Sequence, residues 1–326
     1  MKLNPLLLAA LAVITPFAAQ ADDLRLGIIG SDTSHVPAFT RLLNDPTNPK
    51  HIEGAKVVAL FKSFSPDIAH SAAHKEDYAK ELQEKWGVRI ESSIESLAAS
   101  VDAVLIESVD GRPHLEQAKA VIAAHKPLFI DKPVAGSLKD AIEIFRLAKE
   151  ANVPVFTSSS YRFYDSLKEV QKLDVGEIRS VISYGPAHLE PTHPDLFWYA
   201  IHPTEALFTI LGKGCESVTR TQTESCEVVT GVWKDGRIGI LHGLRKGPTI
   251  HRVMVFGTKM LAEQKVASDD YAPLVREIVT FFQTGVSPVS AEDTLDMFAF
   301  MEAADESKRQ GGRPVTLAEV LATASK

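Results

Sequence analysis

Short apolar runs alternate with segments of helical periodicity through the first half of the chain. Because strands separated by helical segments form parallel sheets, residues 22–157 are predicted to form a Rossmann-like, doubly wound α/β domain. The predicted strands lie at residues 24–30, 56–62, 88–90, 103–107, 128–130 and 153–157. The predicted helices lie at residues 36–43, 65–86, 113–125 and 137–151.

Alternation of apolar and polar residues dominates the second half and is typical of an open, mostly antiparallel sheet. Asp235-Gly236 is a favourable two-residue hairpin turn between two of the strands. We therefore expect residues 158–326 to form a C-terminal α+β domain packed on the first. Its predicted strands lie at residues 177–184, 215–223, 227–233, 237–244 and 251–256. Its predicted helices lie at residues 195–211, 271–284 and 291–310.

The first 21 residues have the pattern of a targeting segment. Lys2 precedes an apolar run over residues 6–17, which is too short for a comfortable membrane span. Ala19-Gln20-Ala21 then supplies the small residues of a cleavage site. We predict a general secretory signal peptide over residues 1–21, cleavage after Ala21, export to the periplasm, and no membrane association afterwards.

The amino-acid composition is ordinary, and the net charge limits the kinds of molecule that we expect the protein to bind. The 326 residues carry a formal net charge of −7, and this mildly acidic balance argues against nucleic acid as a partner. Cys215 and Cys226 both lie in the second half. In an exported chain they either form a disulfide or remain as two buried thiols, and the sequence leaves both possibilities open.

Lys132 is the first candidate for chemistry. It follows an apolar run and precedes Pro133, so it lies at the carboxyl end of a predicted strand. Ligands bind at this end of the strands in open parallel sheets. A lysine beside apolar walls can have a lowered pKa and transfer a proton. A solvated surface lysine is the alternative that this position alone leaves open.

The turn after the first strand matches a dinucleotide-binding loop only in part. Gly30 fills the first glycine position, whereas Asp32 and His35 stand at the second and third. Ser31 and Thr33 complete the set of residues predicted to bind a cofactor here. A carboxylate opposes a diphosphate at this place unless Asp32 turns away to cap the following helix.

The end of the second predicted strand lacks the acidic residue that would hold the ribose of NAD. Lys62 stands there instead, and it either contacts the 2′-phosphate of NADP or is solvated. The cofactor is therefore predicted as NAD or NADP, without a choice between them.

His202 is the second candidate for chemistry. It lies three residues before Glu205 on a predicted helix, so both side chains share one helix face. Glu205 is expected to orient the imidazole, which can act as a general acid or base. A half-buried histidine with a purely structural role fits the spacing equally well. The residues predicted to line a substrate pocket are Tyr161, Arg162 and Trp198.

A metal site is an alternative interpretation of the segment before this helix. His188, Glu190 and His193 are close in sequence, and His202 would complete a set of four possible ligands. Their spacing matches no strong zinc pattern, so a polar loop at the rim of a pocket is the main prediction.

The order of these features resembles the glucose–fructose oxidoreductase/inositol dehydrogenase (Gfo/Idh/MocA) family. The strand that ends in Asp131-Lys132-Pro133 and the helix with His202-x-x-Glu205 carry the resemblance over nearly all of residues 22–326. By this resemblance Lys132 and His202 are catalytic, with Glu205 as the later acid of the helix pattern. Asp131 and His114 are placed near the cofactor, and Trp198 stands where the family has an acid.

The family implies NAD(P)-linked hydride transfer at a carbinol of a sugar, cyclitol or glycoside, and a homo-oligomer contact through the C-terminal sheet. We therefore predict an exported oxidoreductase with a carbohydrate substrate. Two alternatives remain open. One is a glycoside hydrolase or lyase that works without net redox, through a trapped nicotinamide or a metal. The other is a saccharide-binding protein that has lost its nucleotide site.

Overall fold

The computed structural model describes residues 22–247, 250–265 and 270–326. The predicted signal peptide, residues 1–21, lies outside the described residues. Two sheets organise the described chain, one of six strands and one of seven.

The first sheet is entirely parallel, as predicted. Its spatial order is β3-β2-β1-β4-β5-β6. The order reverses between β1 and β4, and in such sheets ligands bind in the crevice at the carboxyl ends of the strands beside this switch point. The strands are β1 (Leu24–Ile29), β2 (Ala55–Phe61), β3 (Arg89–Glu91), β4 (Ala103–Ile106), β5 (Leu128–Ile130) and β6 (Val155–Thr157).

Six α-helices connect these strands, two more than predicted. The single helix predicted over residues 65–86 is wrong, because the chain breaks between α2 and α3 and turns the Lys75 carbonyl towards the Ser31 hydroxyl, which donates to it at 2.8 Å. A short helix capped by Ser93 was not predicted. The helices are α1 (His35–Asn44), α2 (Ala69–His74), α3 (Asp77–Trp86), α4 (Ile94–Ser100), α5 (His114–Ala123) and α6 (Leu138–Glu150).

The chain leaves the first sheet through a 3₁₀-helix (Ser160–Phe163) and α7 (Asp165–Gln171), and then enters the second sheet. The helix predicted over residues 195–211 is in fact two helices, which are separated at Tyr199 and Ala200. The strands of this half are β7 (Ile178–Pro186), β8 (Cys215–Gln222), β9 (Cys226–Trp233), β10 (Ile238–Leu244), β11 (Arg252–Gly257), β12 (Leu261–Glu263) and β13 (Val315–Thr316). The helices are α8 (Asp195–Trp198), α9 (Ile201–Leu211), α10 (Ala272–Thr284), α11 (Ala291–Arg309) and α12 (Leu317–Ala324).

The second sheet has the order β12-β11-β7-β10-β9-β8-β13. Every neighbouring pair is antiparallel except β7 and β10, so the prediction of an open, mostly antiparallel sheet is confirmed. α9 and α11 pack against one face of this sheet. Apolar side chains on the other face stay partly exposed, among them Val228, Val232 and Ile238.

The two halves are not separate bodies, because α10 returns to the first domain. Leu274 and Ile278 of α10 share one apolar cluster with Phe39 of α1. Phe281 of the same helix contacts Phe156 of β6 edge to face, with ring centroids 5.6 Å apart. The cleft between the domains is therefore held by packing as well as by chain connection.

Cys215 and Cys226 are free thiols, and burial raises the pKa of Cys215 to about 12. In the part of the chain that the structure describes, no helix is both long and apolar enough to cross a membrane.

Candidate active site

A cleft of about 400 Å³ opens where the carboxyl ends of the parallel strands meet the second domain. It brings together side chains that are far apart in sequence, including residues of the glycine turn, of α9 and of the segment after β6. Six of the predicted site residues line it, namely Thr33, His35, Lys132, Tyr161, Trp198 and His202. Tyr164, which follows the same strand as Tyr161, also lines it, and the lining residues that the sequence did not indicate include His70, His251 and Tyr271.

Lys132 and His202 contribute to the same cleft from different domains. Burial lowers the pKa of His202 well below its ordinary value, and the charge of Lys132 lowers it further. His202 is therefore a neutral imidazole near pH 7, able to accept a proton. Its Nδ1 lies 2.7 Å from the hydroxyl oxygen of Ser159.

Glu205 does not orient His202, contrary to the prediction. Its carboxylate forms an ion pair with the Nε of Arg162 and accepts a hydrogen bond from the Ser158 hydroxyl at 3.0 Å. The physical reason is that the segment after β6 brings a guanidinium to this face of α9, and the acid pairs with it. Ser159 takes the orienting position instead.

Arg162 is consequently not among the residues that line the cleft. Its guanidinium is engaged with Glu205 beneath the wall of the cleft, so its predicted contact with a substrate is wrong in this structure. Tyr161 does line the cleft, but its hydroxyl donates to the Oε1 of Gln264 at 2.6 Å. Burial raises the pKa of Tyr161, so the ring acts as a neutral wall.

Gly30 shapes the turn at the end of β1. Its φ of +105° suits glycine, and a Cβ there would lie 2.4 Å from the Ser108 amide nitrogen. The next residue, Ser31, is buried and donates from its hydroxyl to the Lys75 carbonyl, so its side chain faces inward. Gly30 thus allows the loop after β1 to lie close to the loop after β4.

Asp32 turns away from the cleft, but not as a helix cap. Its Oδ2 accepts a hydrogen bond from the Ser71 hydroxyl at 2.5 Å, and its Oδ1 accepts one from the Val109 amide at 3.1 Å. Burial raises the pKa of Asp32. The residue before α1 is Ser34, which makes no side-chain capping bond. The carboxylate therefore does not face the position where a diphosphate would lie.

The cleft fits a nicotinamide dinucleotide at two places. Thr33, Ser34 and His35 line it at the start of α1, where a helix N-terminus attracts a diphosphate. Lys132 and His202 flank the remaining space, where a reactive ring and a hydroxyl would meet. At the far end, Lys62 donates to Glu76 at 3.1 Å, so its predicted role towards a 2′-phosphate competes with this ion pair.

His114 does not reach the cleft. It is fully buried, with Nδ1 2.9 Å from the Pro133 carbonyl oxygen and Nε2 2.9 Å from the Ser108 carbonyl oxygen. Its predicted contact with a cofactor is therefore replaced by a positioning role, in which it ties the loop after β4 to the loop that carries Lys132.

Asp131 also faces inward rather than into the cleft. Its Oδ2 lies 2.6 Å from the Nδ1 of His35, which does line the cleft. Glu107, at the end of β4, is a buried neighbour that sequence reasoning missed. The signal was available, since Glu107 is a charged residue that ends a buried strand at the same edge as Lys132.

The alternative metal site is wrong for the residues first considered. His188, Glu190, His193 and His202 do not form a group whose possible ligand atoms lie within 4.8 Å of one another. The ring of His188 packs on Tyr199, and the Nε2 of His193 accepts a hydrogen bond from the Gly111 amide at 3.3 Å. The loop thus uses its histidines to contact protein groups.

The chain combines a doubly wound domain, which has a glycine turn at its switch point, with an α+β domain that brings His202 into the cleft of Lys132. Residues 24–159 match the family described as the Gfo/Idh/MocA oxidoreductase family with an NAD-binding Rossmann fold. The N-terminal domain of this chain is therefore similar to the NAD-binding Rossmann domain of that family.

One inositol dehydrogenase is similar in sequence to part of this chain. Inositol 2-dehydrogenase 3 of Saccharopolyspora erythraea is 28% identical over 185 residues, which cover 55% of this chain and 48% of the relative. The match thus spans about half the length of that protein.

Solved structures share the fold over almost the whole chain. Myo-inositol 2-dehydrogenase of Lactobacillus plantarum has a TM-score of 0.76 at 17% identity, with 90% of this chain and 99% of that chain covered. Scyllo-inositol dehydrogenase of Lactobacillus casei, solved with NAD(H) and scyllo-inositol, has a TM-score of 0.74 at 16% identity, with 91% and 100% covered.

Proposed function

We propose that this protein is an exported oxidoreductase that transfers hydride between NAD(P) and a carbinol carbon of a sugar, cyclitol or glycoside. The observation that carries the proposal is the convergence of Lys132 and a neutral His202 on one cleft, at the carboxyl edge of the parallel sheet. The inositol dehydrogenases with the same fold support a polyhydroxylated substrate. The signal sequence predicted over residues 1–21 supports action outside the cytoplasm.

The chain's own groups would handle the proton and the binding. A bound nicotinamide supplies the hydride acceptor. Neutral His202 accepts the hydroxyl proton, and Ser159 fixes the ring by engaging Nδ1, which leaves Nε2 for the substrate. Lys132 supplies a positive charge beside the oxygen from which the proton leaves. Trp198 offers a flat apolar wall, as sugar rings require for stacking.

The experiment is a Lys132→Met substitution in the mature protein. We expect turnover of a polyol or sugar panel with NAD or NADP to fall about 10²–10³-fold, because the positive charge beside the reacting oxygen is lost. Lys172→Met, which changes an exposed lysine beyond α7, serves as the matched control and should keep full activity.

Full activity in Lys132→Met with an unchanged circular dichroism spectrum would overturn the role of Lys132. Saccharide binding by wild-type protein without dinucleotide binding or turnover would instead favour the binding-protein alternative. Turnover of a glycoside without net change in NAD(H) absorbance would favour the hydrolase or lyase.

We also propose a homo-oligomer formed through the open face of the second sheet. Val232 of β9 pairs in register with Ile238 of β10, and both are about 40% exposed (41% and 40%). Val228 of the same face is 37% exposed. Neighbouring apolar side chains on one sheet face are typical of a surface that a second copy covers.

A further inference from the structure

Three ionisable side chains meet beneath the cleft, at the carboxyl ends of β1, β4 and β5. His35, Glu107 and Asp131 each offer one atom to a group whose members lie within 4.8 Å of one another. All three residues are buried, with exposures of 8%, 0% and 2%. The proposed redox chemistry does not use Glu107.

The carboxylates of this group are short of partners. Both oxygens of Glu107 and the Oδ1 of Asp131 have no hydrogen-bond donor within the described residues. Buried polar atoms in folded proteins are almost always paired, and an unpaired buried carboxylate costs several kcal/mol in free energy. These oxygens therefore need a compensating group, which is either a proton shared between the two carboxyl groups or a bound cation.

The remaining surroundings fix the imidazole of His35 in place. Its ring stacks on Phe39 with centroids 5.4 Å apart and an interplanar angle of 14°. It also contacts Tyr271 at 4.7 Å between ring centroids. Its Nδ1 therefore stays directed at Asp131, 2.6 Å from Oδ2, while the ring borders the cleft. The Nδ1 of His35 and the carboxylates of Glu107 and Asp131 therefore already lie together as possible metal ligands.

We propose that His35, Glu107 and Asp131 bind one divalent first-row metal ion, zinc or manganese, on the floor of the cleft. Two carboxylates match the charge of a divalent ion. One imidazole with oxygen donors and no sulfur suits zinc or manganese better than calcium, which takes six to eight oxygens. Two donors on one tetrahedral zinc ion lie about 3.3–3.5 Å apart. The side chains must therefore adjust on binding, and the Nδ1 of His35 and the Oδ2 of Asp131, now 2.6 Å apart, move slightly apart.

The site has an entry path and a free coordination position. His35 lines the cleft, as does Lys132, the residue after Asp131. An ion bound to the Nδ1 of His35 is therefore reached through the same opening as a substrate. Three protein ligands leave room for a water or a substrate oxygen. Binding must displace any proton that Nδ1 shares with Asp131, so affinity is expected to fall as the pH is lowered. The proposal is independent of the redox function, because metal binding is measured without a dinucleotide.

The test is metal binding by the mature full-length protein after treatment with a chelator. Equilibrium dialysis against zinc or manganese chloride, followed by elemental analysis, should give one ion per chain for at least one of the two metals. Glu107→Gln and Asp131→Asn should each weaken that binding at least about tenfold. Glu190→Gln and His188→Asn, in the loop whose histidines contact protein groups, should leave it unchanged.

Circular dichroism and thermal unfolding of each apo-variant separate loss of the site from loss of the fold. Glutamine has nearly the same shape as the glutamate that it replaces, so the Glu107→Gln apo-variant should be about as stable as apo wild type. The proposal is overturned if wild type binds neither metal. It is equally overturned if binding survives both Glu107→Gln and Asp131→Asn, or follows the loop variants instead.

Discussion

His202 owes its proposed role to its surroundings rather than to its residue type. A free imidazole has a pKa of about 6.5. Burial lowers the pKa of His202, and the charges of Lys132, His251 and His35 lower it further. The neutral ring is therefore favoured in the folded state. Its contribution to stability is complete above about pH 6.5 and is lost as the pH falls below that value, because the unfolded chain then binds the proton first.

A titration of His202 by histidine-selective NMR checks this account. In wild type, we expect the His202 resonance to titrate well below pH 6.5. In Lys132→Met, one of the charges that oppose protonation is gone, so the apparent pKa should move upward, towards its ordinary value. Lys172→Met should leave the titration unchanged. An ordinary pKa in wild type would contradict the assignment of His202 as a neutral base.

At the scale of elements, Arg220 joins one strand to two helices. It lies in β8 with a fully buried side chain, and it pairs with Asp195 of α8, Glu227 of β9 and Asp305 of α11. The pKa values of two of these acids, Asp195 and Asp305, are shifted in opposite directions. The neighbouring cations, Arg220 first among them, lower the pKa of Asp195 to about 2, whereas burial outweighs Arg220 and raises the pKa of Asp305 to about 7.

Arg220→Met should therefore destabilise the protein by about 3–5 kcal/mol, because it leaves buried carboxylates without their shared partner. Urea unfolding at neutral pH measures the change in the free energy of unfolding. Arg146→Met is the control, since Arg146 forms exposed pairs with Glu143 and Glu150 on α6 and should cost less than about 1 kcal/mol. Equal effects of the two substitutions would show that the buried network is not what joins α8 and α11 to the sheet.

At the scale of the whole molecule, the second sheet has one open face that carries exposed apolar side chains. α9 and α11 cover the opposite face. The exposed face carries Val228, Val232 and Ile238 in adjacent strands. A second copy that buries this face would remove it from water, and burial of apolar surface is the main driving force of such association.

A double substitution tests this association. Val232→Glu with Ile238→Glu places charges in the middle of the face, and we expect the oligomer to dissociate to monomers in sedimentation-velocity measurements. Leu173→Glu changes an equally exposed apolar residue (45%) outside this face and should not alter the assembly. A wild-type protein that sediments as a monomer would contradict the proposal.

Local sequence patterns were sufficient to predict the parallel strands, because a strand that is buried on both faces leaves a short apolar run in the sequence. They placed the six parallel strands and the residues that follow them, including Lys132. The ends of helices were harder to predict from the sequence. The breaks near Glu76 and Tyr199 fall within patterns that remain compatible with a helix, and long-range contacts such as that between Ser31 and Lys75 accompany the first of them.

The sequence by itself therefore determined the six parallel strands of the first sheet and five strands of the second, whereas β12 and β13 were not predicted. Only the tertiary structure decided the partners of the charged side chains. Glu205 pairs with Arg162 instead of His202, Asp32 bonds to Ser71 instead of capping α1, and Glu107 meets Asp131 and His35. The reason is that strand formation depends on neighbours in the chain, whereas a buried charge pairs with whatever group the packing of distant segments brings within a few ångströms.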